Sequence, residues 1–117
     1  MTDYSDLRDH IRTVPDFPKP GIMFRDVTTL FSSPVAMRRM IEGFQDQWSD
    51  LSFDYVAGID ARGFIIGSAL AMHQAVGFIP VRKEGKLPYD TIAEDYELEY
   101  GMATLELHRD AVPTYAR

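Results

Sequence analysis

Two segments of the chain place glycine and fixed positive charge directly after an apolar run: Ala57-Gly58-Ile59-Asp60-Ala61-Arg62-Gly63-Phe64 and Val81-Arg82-Lys83-Glu84-Gly85-Lys86-Leu87-Pro88. If both apolar runs are strands of a parallel sheet, both charged turns lie at its carboxyl edge, where open α/β folds bind ligands. In the first, a strand that turns tightly into a helix aims backbone N–H groups and the positive end of the helix dipole at one spot. Gly63 lets a ligand come close, and Arg62 adds a fork of donors suited to phosphate oxygens. The same residues also fit an ordinary turn in which Asp60 caps the helix and pairs with Arg62. In the second, Lys83 and Lys86 are either phosphate ligands or solvated loop charge. One glycine-flanked turn is a weak signal; two, on neighbouring strands of an acidic chain, favour a diphosphate site.

Two other groups have chemistry to offer. Phe24 in Phe24-Arg25-Asp26 has the shape to stack on a planar base, with the Met23 and Arg25 backbone reading the base's polar edge; equally, Phe24 is core and Arg25-Asp26 a surface pair. Glu99, in Glu97-Leu98-Glu99-Tyr100-Gly101, is either a general acid or base on a lid or a solvated charge where a strand begins. His10, His73 and His108 are scattered without metal-ligand spacing, so no histidine receives a role and no metal site is expected from the protein's own side chains.

The elements that must hold these residues follow from pattern. The 117 residues, 45% of them hydrophobic, suit one small domain, residues 1–117. A formal net charge of −6 argues against nucleic acid or an anionic membrane as partner. No cysteine is present, so thiol chemistry and disulfides are excluded. The first residues are polar and acidic, and no apolar run approaches the roughly 20 residues that span a bilayer, so a soluble, cytoplasmic protein is expected. Leu7 and Ile11 predict a short helix over 3–13; Pro15, Pro18, Pro20 and Gly21 then force an extended, turning stretch, and strand character resumes over 22–31. Ser33-Pro34 reads as a cap and first helical position, opening a helix with Met37, Met40, Ile41, Phe44 and Trp48 on one face, ending near Ser49. A strand over 53–59, a nearly all-apolar and therefore well-buried helix over 63–76, and a strand over 78–81 form a βαβ unit. Residues 83–96 read as a long mobile loop, and 100–108 as a half-buried strand with Ala103, Leu105 and Leu107 on one face.

Taken together, Pro15-Asp16-Phe17-Pro18-Lys19-Pro20-Gly21, Phe24-Arg25-Asp26, the stretches 58–67 and 82–88, and Leu98-Glu99-Tyr100-Gly101 through Leu105-Glu106 resemble the adenine phosphoribosyltransferase family in order and spacing, from about Leu7 to Val112. The resemblance implies an α/β fold of the type I phosphoribosyltransferase kind, a mostly parallel sheet flanked by helices, with residues 1–31 as an N-terminal helix and base-binding hood segment. It implies purine salvage: adenine and phosphoribosyl pyrophosphate give AMP and pyrophosphate, with Mg2+ carried mainly by the substrate's phosphates, in a cytoplasmic homodimer. Asp60, Ala61 and Arg62 would hold the pyrophosphate with Lys83 and Lys86 in support, and a non-proline cis peptide is implied between Asp60 and Ala61. Phe24 would stack on adenine beside backbone contacts from Met23 and Arg25. Glu99 would move the proton, with Arg62 as the other catalytic group and Tyr100 as the lid neighbour of Glu99. The family's paired aspartates and Gly-Gly-Thr turn, which hold the phosphoribose, have no counterpart after Asp110-Ala111-Val112. A C-terminally truncated domain with little transferase activity of its own is therefore expected. The alternative is a non-catalytic nucleotide-binding or regulatory protein on the same fold.

Overall fold

The computed structural model describes residues 3–98 and 101–117, and its contacts divide the chain into two compact units, Met1–Ser49 and Asp50–Arg117.

In the first unit a 3-10 helix (Ser5–His10) leads into strand β1 (Arg12–Pro15), which pairs antiparallel with β2 (Met23–Asp26) so that Val14 faces Phe24. The helix expected over 3–13 therefore stops at His10, because the β-branched Thr13 and Val14 join a ladder instead. The strand expected over 22–31 is likewise only Met23–Asp26. The Asp26 carboxylate accepts the Thr28 N–H at 2.9 Å and bends the chain into a short helix, α1 (Thr28–Phe31). Helix α2 (Pro34–Gln47) begins as its sequence dictates: the Ser33 hydroxyl accepts the Ala36 N–H at 3.2 Å and Pro34 takes the first turn. Leu30, Ala36 and Ile41 are the buried apolar residues here. Arg39 ties the 3-10 helix to α2, pairing with Asp6 at 2.8 Å while lying over the Tyr4 ring, and the Tyr4 hydroxyl donates to Asp46.

The second unit is a four-stranded sheet carrying one long helix. Strand β3 (Tyr55–Ile59), helix α3 (Arg62–Gln74) and strand β4 (Gly77–Lys83) form the βαβ unit, with β3 and β4 parallel and Ile59 opposite Val81. Strands β5 (Thr91–Leu98) and β6 (Gly101–His108) form an antiparallel pair, and the strand order is β3-β4-β6-β5. β6 also runs antiparallel to β4, which makes the sheet mixed: β3–β4 is the parallel pair among the described residues.

Two expectations need correcting. The stretch 83–96 is not one long loop: all eight residues of β5 pair with β6. Glu94, Asp95 and Glu97 disguise this strand because it lies at the sheet edge, where charge is tolerated and blocks further pairing. Nor is α3 covered on most sides. Gly67, Leu70 and Ala71 are buried, whereas Met72 is 85% exposed and Ile65 45%. The buried side is unusually close to the sheet. A Cβ on Gly58 would lie 2.2 Å from the Gly63 carbonyl oxygen, and one on Gly67 would lie 2.6 Å from the Phe78 ring. Glycine at these positions lets the helix start directly on β3, so the first turn of α3 stands at the carboxyl end of that strand.

Candidate functional site

The end of β3 and the end of β4 are locked side by side. The Asp60 N–H donates to the Val81 carbonyl at 3.0 Å, and Arg82 Nε donates to Asp60 Oδ2 at 2.9 Å. The Asp60–Ala61 peptide is cis. Ala61 is the N-cap of α3 and, having no polar side chain, leaves the helix start without a side-chain cap. Asp60 does not fill that role and does not pair with Arg62, since its carboxylate is taken by Arg82. The Arg82 guanidinium also lies 5.8 Å from the centroid of the Phe64 ring, within cation–π range. The open N–H groups and dipole of the first turn of α3 thus face outward beside an exposed Arg62, an arrangement that favours an anion.

The second turn is held from β6. Lys86 N–H donates to the Lys83 carbonyl at 3.2 Å, closing a tight turn in which Gly85 has φ +85°, a conformation costly for any other L-residue. Glu84 N–H extends the ladder to the Thr104 carbonyl at 3.1 Å. The Gly85 N–H donates to Glu106 Oε1 at 2.8 Å, and the Thr91 hydroxyl donates to Glu106 Oε2 at 2.9 Å. Lys83 and Lys86 are exposed, and among the described residues no carboxylate pairs with either of them or with Arg62. Arg82 and Glu106 had no assigned role in the sequence. Their signal was present but thin: Arg82 sits within the charged motif, and Glu106 falls on the polar side of the β6 alternation.

The hairpin of the first unit presents Met23, 56% exposed, and Phe24, half-buried with its ring against Phe17 edge-on at 5.2 Å. Arg25 is exposed and donates to the Thr13 hydroxyl. The turn between β1 and β2 contains a cis Phe17–Pro18 peptide, and Asp16 Oδ1 accepts the Gly21 N–H at 2.8 Å. Asp26 pairs with Arg12 at 2.6 Å. The Thr28 N–H first, and the Arg12 guanidinium second, hold the Asp26 carboxyl down at about 2. Glu99 and Tyr100 lie outside the described residues. Among the described residues no three histidine or acidic side chains converge as a metal site.

No family model matches the chain. Individual proteins do. An adenine phosphoribosyltransferase of Cupriavidus metallidurans is 58% identical over 105 residues, which are 90% of this chain and 55% of that protein. The structure of the adenine phosphoribosyltransferase from Thermoanaerobacter pseudethanolicus superposes with a TM-score of 0.91 at 45% identity, covering 96% of this chain and 65% of that one. The Saccharomyces cerevisiae enzyme, solved in complex with adenine and an imino-altritol bisphosphate, gives a TM-score of 0.87 at 35% identity, covering 95% of this chain and 65% of its own. The chain thus spans little more than half the length of the curated relatives it matches. Over that span it is similar to these adenine phosphoribosyltransferases in sequence and has the type I phosphoribosyltransferase architecture.

Proposed function

We propose that the chain acts in purine salvage, as part of an enzyme transferring the phosphoribosyl group of phosphoribosyl pyrophosphate to adenine, with AMP and pyrophosphate as products. The observation that carries this reading is the uncapped start of α3 beside a second cationic turn, with Asp60 already neutralised by Arg82. The C–O bond to pyrophosphate breaks, the electron pair leaves on the pyrophosphate oxygen, and a C–N bond forms to the base, whose ring proton is lost. Positive charge builds on the sugar and negative charge on the leaving group. Arg62, Lys83, Lys86 and the amides after Asp60 and Ala61 would stabilise the leaving group with donors fixed in advance. Phe24 would stack on the adenine ring, with Met23 and Arg25 giving backbone contacts. Glu99 is the proposed proton acceptor and Tyr100 its neighbour on a segment that shields the sugar cation from water. Magnesium would arrive on the substrate's phosphates and screen their charge.

The domain is taken as a single phosphoribosyltransferase domain of which residues 1–31 form the hood. A cytoplasmic homodimer is proposed on the resemblance, together with the absence, among the described residues, of a helix long and apolar enough to cross a membrane. Calorimetry with pyrophosphate tests the site. Arg62→Ala is expected to weaken binding about tenfold or more, the range for losing a charged hydrogen bond, with adenine affinity unchanged. Absence of pyrophosphate binding by the unsubstituted protein would overturn the assignment.

A further inference from the structure

We infer that Glu106 is a positioning residue for the pyrophosphate-binding turn, an inference that rests on the function proposed above. Glu106 lies on β6 directly opposite Arg82 of β4, so the two side chains stand on the same face of the sheet. Opposite charges so placed would be expected to pair, yet Arg82 is held by Asp60 instead. The Glu106 carboxylate is turned to the loop. One oxygen accepts the Gly85 N–H at 2.8 Å and the other accepts the Thr91 hydroxyl at 2.9 Å. Those two contacts grip both ends of the connection between β4 and β5. Gly85 lies between the two lysines, and Thr91 is the first residue of the returning strand. The turn itself is closed by the Lys86-to-Lys83 backbone bond, and further along the connection the Pro88 carbonyl meets His108 Nε2 and the Asp90 carbonyl accepts the Arg109 N–H at 2.9 Å. A glycine turn with an exposed surround has many conformations available. Anchoring its central amide to a carboxylate on a strand selects the one in which Lys83 and Lys86 project from a fixed base.

This arrangement gives an outcome that simple electrostatics does not. Glu106 is negative and close to a proposed polyanion site, so by charge alone its removal would tighten pyrophosphate binding. Positioning predicts the reverse. If the turn is correctly arranged only part of the time, apparent affinity falls by that fraction. Glu106→Ala is expected to weaken pyrophosphate binding about tenfold, the effect of one lost charged hydrogen bond. Glu106→Gln keeps an oxygen for the Gly85 N–H and is expected to stay within about twofold of the unsubstituted protein. Adenine affinity should not change in either. Thr91→Val, which removes one of the two contacts and favours a strand, should give a loss between the two and serves if Glu106→Ala does not fold. Hydrogen exchange at the Gly85 amide should quicken in Glu106→Ala and not in Glu106→Gln.

The measurements are isothermal calorimetry with pyrophosphate and with adenine on the whole protein. If the unsubstituted protein does not bind pyrophosphate, the functional reading fails and this inference with it. If it binds, but Glu106→Ala binds equally well or better, or Glu106→Gln is as impaired as Glu106→Ala, the positioning role alone is overturned.

Discussion

Replacing Gly58 with alanine should be among the most damaging single-methyl additions available in the second unit. The added Cβ would sit 2.2 Å from the Gly63 carbonyl oxygen, 2.7 Å from the Gly63 carbonyl carbon and 2.9 Å from a Phe78 ring carbon. Real Cβ atoms essentially never come within 3.0 Å of a heavy atom beyond their own residue and its chain neighbours, so strand and helix must part by most of an ångström. The first two contacts are both backbone atoms of Gly63, in the first turn of α3, and the added Cβ is fixed to the backbone of β3, so neither side can swing away as a flexible side chain would. Close-packed interiors transmit such a displacement, and here it would lift Leu70 and Ala71 from the sheet as well. Overpacking typically costs 1–3 kcal/mol; a clash between two backbones belongs at the top of that range, about 3 kcal/mol. For a domain of this size that is a fall in Tm of about 10 °C. Gly85→Ala is the control. Nothing lies within 4 Å of its would-be Cβ, and only the φ of +85° is unfavourable, so the cost should be about 1 kcal/mol. Gly67→Ala should fall between them, since its clash is with a ring that can shift and alanine gains about 1 kcal/mol of helix propensity. Thermal unfolding followed by circular dichroism orders the three. If Gly58→Ala melts within 2 °C of Gly85→Ala, the close approach of helix and strand does not depend on the missing side chain and the reasoning fails.

The first unit gives two further expectations. Ser33→Ala removes the acceptor for the Ala36 N–H and should cost about 1 kcal/mol, or about 4 °C in Tm, while Ser33→Asp should restore most of it; an alanine variant as stable as the parent would show the cap to be idle. Asp26 is depressed to about 2 from 3.8, so the unfolded state binds its proton more readily. The stability this contributes is present above the unfolded value and is lost as pH falls through the folded one. Melting the protein at steps from pH 5 to pH 2 should show a smaller loss for Asp26→Asn than for the parent; equal slopes would remove Asp26 from the account.

What the sequence revealed and what it concealed divide along a physical line. Local signals were read directly: Ser33-Pro34 marks the start of α2, and the apolar run of β3 with the glycine-flanked turn after it marks the βαβ unit. The two cationic turns stand where the pattern put them, at the ends of parallel neighbours. Partnerships set by tertiary structure were not legible. β5 reads as a polar loop because an edge strand needs few apolar residues, and its identity depends on β6 lying beside it. Arg82 and Glu106 face one another across a ladder whose register no local pattern reveals. Asp60 could have capped α3 or paired with Arg62; only the packing of β3 on β4 shows that Arg82 takes it.

That last partnership bears on how a chain of net charge −6 would accommodate the proposed polyanion. Charge at a site depends on which groups are already matched. Asp60 is turned to Arg82, and Glu106 to a backbone amide and a hydroxyl. Two of the carboxylates that would otherwise repel a phosphate or capture a lysine are thereby occupied on the sheet. Arg62, Lys83 and Lys86 have no carboxylate partner among the described residues, so the pyrophosphate proposed above would break no ion pair among those residues to reach them. The uncapped first turn of α3 adds donors that are likewise unclaimed by a side chain. On the proposed function, binding would then cost mainly the dehydration of exposed cations, which are most effective when their geometry is fixed beforehand.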